Sequence, residues 1–134
     1  MRIFLDTNVL VSAFATRGLC ADVLRVVLAE HEFLTGEIVL SELEDVLTSR
    51  IGLPPKTVGG ILALLRRYHV EPRPAYRPDL PISDADDLLV LGSALACGAD
   101  VFVTGDEEIL AVEKPGDILI LNPRGLWDIL KGGS

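Results

Sequence analysis

Cysteine is scarce in this 134-residue chain. Cys20 and Cys97 stand alone, without a paired spacing or a nearby histidine, which excludes a disulfide scaffold and a thiolate metal site and leaves two small side chains for the core. Aromatic residues make up 5% of the chain, too few to announce a platform on which nucleic-acid bases would stack. Positive charge is outnumbered: twelve Lys and Arg against twenty Asp and Glu give a net charge of −8, which disfavours long-range attraction of a phosphate backbone. Long apolar runs are missing as well. The longest nearly apolar stretch, residues 88–99, is interrupted by Gly92, Ser93 and Gly98. It falls short of the roughly 20 apolar residues that span a bilayer, so no membrane crossing is expected. Met1-Arg2-Ile3-Phe4-Leu5 reaches Asp6 before a signal-like apolar core can form, so no export leader is expected and the expected location is the cytoplasm.

Apolar residues, by contrast, are plentiful at 49%, with 24% charged, which suits one packed core and excludes general disorder. The expected organisation is a single domain over residues 1–130 and a flexible tail over 131–134. Short β-rich runs at Ile3-Phe4-Leu5, residues 32–35, Val101-Phe102-Val103 and residues 118–121 alternate with helical spacing. Two helices fit residues 9–28, separated by Thr16-Arg17-Gly18, and another fits residues 38–47, carrying Glu42. Pro54-Pro55 opens a helix whose start Gly59-Gly60 is expected to delay. Pro72, Pro74, Pro78 and Pro81 mark an extended loop. Ser83 is expected to cap a helix over residues 84–97, with Asp86 completing a capping box and Gly98 ending it. A short helix over residues 107–112 and a terminal helix from Asn122-Pro123 complete the pattern, the latter carrying Leu126, Trp127, Ile129 and Leu130 as a core or subunit-contact anchor. No hairpin turn joins neighbouring strands. The fold class is therefore α/β: three layers, with a central, mostly parallel sheet of four or five short strands covered on both faces.

In such sheets ligands bind beyond the carboxyl ends of the strands, and two acids stand at such ends, Asp6 directly after Ile3-Phe4-Leu5 and Asp106 closing the turn Thr104-Gly105-Asp106 after Val101-Phe102-Val103. Asp87 falls in the first turns of one helix, and the apolar neighbours Val39, Leu43 and Val46 turn Glu42 inward on another. Asp84-Ala85-Asp86-Asp87 lacks the glycine that a calcium-binding loop needs, so only tertiary folding would assemble these acids. Crowded carboxylates repel one another unless protonated or neutralised by a hard cation such as Mg²⁺ or Mn²⁺. A cation held this way would orient a phosphodiester for hydrolysis by water. Six basic residues within residues 50–78 (Arg50, Lys56, Arg66, Arg67, Arg73 and Arg77) face one acid, Glu71, and offer local relief from the negative charge.

Four pieces together make the sequence resemble the PIN-domain family of metal-dependent ribonucleases, in particular the toxin components of bacterial and archaeal toxin–antitoxin pairs: residues 3–10 (IFLDTNVL), Leu40-Ser41-Glu42-Leu43, Asp84-Ala85-Asp86-Asp87 with Ala94, and Val103-Thr104-Gly105-Asp106. The resemblance covers nearly the whole chain. It implies that Asp6, Glu42, Asp87 and Asp106 are an acidic quartet for Mg²⁺ or Mn²⁺, with Asn8 and Thr104 as polar supports. The seven-residue offset to Ala94 matches the family's helix pattern and favours Asp87 over its neighbours, and Asp84 is kept as an auxiliary ligand. It further implies an RNA substrate, a small antitoxin partner and a homodimer, in which the residue 50–77 segment could build a longer basic groove.

Two other classes compete with the nuclease. An Asp after a strand also suits a haloacid-dehalogenase-type phosphatase, in which it is the nucleophile, but Asn8 stands where that chemistry needs a second Asp as general acid. A non-catalytic interaction module with an acidic pocket is the third. His31 and His69 have no partners at a spacing that suggests a nucleophilic triad and are assigned no role.

Overall fold

The computed structural model describes residues 1–112 and 114–132. Among these residues five strands, β1 (Arg2–Leu5), β2 (Glu32–Gly36), β3 (His69–Glu71), β4 (Val101–Val103) and β5 (Leu119–Leu121), form one sheet in the order β3-β2-β1-β4-β5. Every adjacent pair is parallel, and Phe4 on the central strand sits opposite Leu34 on one side and Phe102 on the other. The carboxyl ends of all five strands therefore share one edge. The chain builds outward from β1 through β2 to β3, then returns to the far side of β1 with β4. That reversal makes the β1–β4 crevice a topological switch point, where open α/β sheets place their ligands.

Among the described residues seven α-helices, α1 (Thr7–Ala15), α2 (Leu19–Glu30), α3 (Glu37–Val46), α4 (Pro55–Leu65), α5 (Ala85–Ala96), α6 (Glu107–Leu110) and α7 (Pro123–Leu130), complete the α/β/α arrangement. The central strands read as unbroken apolar triplets because both their faces are covered. Ile3, Phe4, Leu5, Val101, Phe102 and Val103 are all buried, and the Phe4 and Phe102 rings stack with centroids 5.6 Å apart. The same core takes in Leu126, with Trp127 and Leu130 packed against it, while Ile129 on the same helix is exposed. Cys97 is buried and Cys20 half-buried.

Several expectations need correction. β3 is a strand that the pattern did not announce: an edge strand of three residues, none fully buried, it has no apolar run and forms by pairing with β2. Gly59-Gly60 does not delay α4, which starts at Pro55, where proline's missing amide costs nothing, and is anchored by the buried Val58 and Leu65. Asp84, not Ser83, caps α5: its carboxylate accepts from the Asp86 and Asp87 amides at 2.8 and 3.1 Å. Ser83 instead donates to Glu108. Beyond α3 the chain continues through a π-helical turn, Leu47–Ile51, and stops at Gly52, whose φ of 77° favours glycine. At the C-terminus, Lys131 and Gly132 still bond back to α7, whereas Gly133 and Ser134 lie outside the described residues.

Candidate active site

The chain leaves β1 at Asp6, which is 4% exposed and caps α1. A buried acid is tolerable only if its oxygens are hydrogen-bonded. One oxygen accepts from the Thr7 amide at 2.8 Å, and the other accepts from the Thr104 hydroxyl at 2.7 Å and the Asn8 side-chain amide at 3.2 Å. Thr104, fully buried just past β4, also accepts from the Asp106 amide at 3.0 Å. The Asn8 carbonyl oxygen accepts from the Gly105 amide at 3.1 Å. Asn8 and Thr104 thus tie the loop after β1 to the loop after β4. Asp106 uses one oxygen to cap α6, accepting from the Glu108 and Ile109 amides.

Glu42 reaches this edge from α3, where it is half-buried and accepts from the Thr7 hydroxyl at 3.3 Å. Asp87, half-buried in the first turn of α5, lines the same cleft. Their ionisation shows the convergence. Burial pushes Asp87 up to about 7, helped by the charges of Asp84, Asp6, Asp106 and Glu42. Burial raises Glu42 too, with Asp6, Asp86 and Asp84 adding to it and the Thr7 hydroxyl opposing. Asp6 is raised by burial against the pull of its hydrogen bonds.

A cleft of about 490 Å³ is lined by Asp6, Thr7, Asn8, Glu42 and Asp87, together with Val46 and Arg50 from α3 and the π turn. Asp106 does not line it. With Asn8, Val9, Cys20 and Gly105 it lines a shallower neighbouring hollow, and Asn8 borders both. Asp84 is exposed and committed to its helix cap. The structure therefore brings Asp6, Glu42 and Asp87 to one cleft and sets Asp106 across the Asn8 ridge. At the opposite edge of the sheet, Arg2, Glu30, His31, Glu32, His69 and Asp100 line a hollow of about 560 Å³, where Glu32 is paired with the Arg2 guanidinium at 3.2 Å and Asp100 accepts from the Arg2 amide at 2.8 Å. There His31 meets the N-terminal amine at 3.3 Å, and His69 pairs with Glu71 at 3.0 Å.

The donor chemistry suits a hard divalent cation: several carboxylate oxygens, no thiolate, no imidazole, and mutual repulsion that a cation would cancel. Among the described residues no three His, Cys, Asp or Glu side chains are yet gathered closely enough to form a coordination shell. Closing one would fall to the half-buried Glu42 and Asp87 side chains. Two features escaped the sequence reading, which named Arg50 only as one of six basic residues in the 50–78 segment. Arg50 lines the cleft because of the π turn, for which the sequence carries no signal. Tyr76, 81% exposed between Arg73 and Arg77 on the proline loop, is an accessible aromatic where the composition promised none.

Fold and site together define a parallel α/β protein with an acidic cleft at its switch point. The family model described as PIN domain matches residues 2–108, and the chain belongs to the PIN-domain family. Two solved structures share the fold. VapBC2 from Rickettsia felis bound to a DNA fragment from its promoter matches with a TM-score of 0.67 and 21% identity over 91% of this chain and 98% of that one. VapC20 of Mycobacterium tuberculosis, described as a sarcin-ricin loop cleaving toxin, matches with a TM-score of 0.57 and 18% identity over 84% of this chain and 98% of that one. No curated protein gives a significant sequence match.

Proposed function

We propose that this chain is a divalent-metal-dependent endoribonuclease, the toxin of a toxin–antitoxin pair, working as one domain over residues 1–130. The observation that carries the reading is the convergence of Asp6, Glu42 and Asp87 on one cleft at the switch point, where burial, with the neighbouring acids adding to it, pushes Asp87 to about 7. Membership of the PIN-domain family supports it, as does the shared fold with VapBC2 and with VapC20, a toxin that cleaves the sarcin-ricin loop.

In this reading Asp6, Glu42, Asp87 and Asp106 hold Mg²⁺ or Mn²⁺, with Asp84 as an auxiliary. A bound cation supplies Lewis-acid polarisation of a phosphodiester and a lowered pKa for water. Thr104, Thr7 and Asn8 fix the Asp6 carboxylate, so its orientation costs nothing at the moment of reaction. Glu42 is steered by the Thr7 hydroxyl. No side chain serves as a covalent nucleophile. The substrate is RNA, the partner a small antitoxin, the assembly a homodimer and the setting the cytoplasm. Among the described residues no helix is long and apolar enough to cross a membrane.

The phosphatase alternative loses its footing in Asn8, whose amide is spent on bridging two loops. The test is incubation of the purified protein with mixed RNAs in Mg²⁺ or Mn²⁺, beside a chelator control and an Asp6→Asn variant. Cleavage by the wild type, abolished in both controls, is the expected result. Release of phosphate from small esters with RNA left intact would establish the phosphatase instead, and inertness toward both would favour an interaction module.

A further inference from the structure

An acidic protein that cuts RNA must hold a polyanion beside its own carboxylates, so a cation has to meet the chain near the cleft. The basic segment of residues 50–78 does not do this as a unit. Arg66 is occupied by Glu37, two parallel bonds at 2.9 and 3.0 Å binding guanidinium to carboxylate. Arg73 and Arg77 flank Tyr76 on the proline loop, against the hollow closed by Leu89. Only Arg50 among the six lines the cleft that holds Asp6, Glu42 and Asp87, and it makes no ion pair or hydrogen bond with any described residue.

Backbone geometry puts it there. If α3 continued as a regular α-helix, Arg50 would lie about 80° around the axis from Glu42, since each residue advances about 100°. The π turn over Leu47–Ile51 is wider, with each residue turning less, so Arg50 comes back onto the face of Glu42 and Val46. The same turn brings Ile51, 43% exposed, to the rim, opposite Val11 and Ala15 of α1. The cleft thus has carboxylates at one end, a free guanidinium at the other and apolar walls between. Its volume falls within the range of small-ligand sites and has room for about one nucleotide.

We infer that Arg50, presented by the π turn, grips a backbone phosphate of single-stranded RNA next to the scissile one, while Val11, Ala15, Val46 and Ile51 flank the intervening nucleotide. The inference rests on the nuclease reading and adds to it a binding residue and a direction for the strand, from the carboxylates along α3 toward Ile51. Guanidinium suits the task because its planar fork matches phosphate oxygens. Arg50 is a binding residue for the flanking phosphate, so its loss should fall on substrate affinity and leave turnover nearly intact.

The experiment compares wild type, Arg50→Ala, Arg50→Lys and Arg67→Ala on short single-stranded RNA in Mn²⁺, at several salt concentrations. Arg67→Ala removes the same charge from an exposed position outside the cleft. Arg50→Ala should raise KM about tenfold, the usual scale for losing one charge-assisted phosphate contact, with kcat little changed. Its plot of log(kcat/KM) against log salt should be shallower by about 0.7, one phosphate contact to a single strand. Arg50→Lys should fall between, and Arg67→Ala should match wild type. If wild type cleaves RNA and Arg50→Ala keeps both its KM and its salt slope, the inference is overturned and the nuclease reading stands. If wild type neither binds nor cleaves RNA, both are overturned together.

Discussion

Asp87 carries the sharpest consequence of the acid cluster, because its carboxyl is pushed to about 7 by burial and by four neighbouring acids. An acid whose pKa rises on folding favours the folded state at low pH. That contribution is complete below the ordinary value of 3.8 and is lost as pH rises through about 7. Metal-free Asp87→Asn should therefore melt above wild type at pH 8, by on the order of 1 kcal/mol once solvent screening of this half-exposed group is allowed for. The two should converge near pH 4. Scanning calorimetry in chelator checks it, and equal melting temperatures at pH 8 would contradict the repulsion. Asp6 and Asp106 were legible in the sequence because Asp6 directly follows one apolar triplet and Asp106 closes the short turn after another, and both triplets read as buried strands. Choosing Asp87 over Asp84 and Asp86 was not legible from residue type, and came from the resemblance. In the fold, Asp84 spends its carboxylate on the helix cap while Asp87 faces the cleft.

At the level of elements, the strands and most helices were legible because burial on both faces leaves apolar triplets and three-four spacing behind. What stayed hidden depends on neighbours. β3 exists through its bonds to β2, the π turn through the packing of Leu47, and the Ser83-to-Asp84 cap swap through Glu108, which draws the serine hydroxyl away. Gly36 shows a further constraint that spacing alone cannot disclose. It ends β2 and precedes α3, and a Cβ there would sit 3.3 Å from the Ser93 Cβ of α5 and 3.4 Å from the Glu71 carbonyl oxygen of β3. Neither neighbour is the free end of a flexible chain. Gly36→Ala should cost about 1–2 kcal/mol through forced separation of β2 and α5. That would appear as a lower urea midpoint with unchanged slope, whereas an unchanged midpoint would show that this layer contact is soft.

The whole molecule sets a net charge of −8 against a proposed polyanionic substrate, and the topology resolves the conflict by location. Parallel strands place every carboxyl end on one edge, the return of β4 to β1 opens a crevice there, and α3 and α5 deliver their acids from the flanks. Four acids scattered along the sequence become neighbours through that topology alone, with Asp106 set just across Asn8 from the other three. The central claim is that this gathering exists to hold a divalent cation. Crystals soaked in Mn²⁺ and measured for anomalous scattering test it most directly. The account predicts a peak within bonding reach of the Asp6, Glu42 and Asp87 carboxylates that disappears in Asp6→Asn. Absence of any peak there, at a Mn²⁺ concentration at which the protein cleaves RNA, would contradict it.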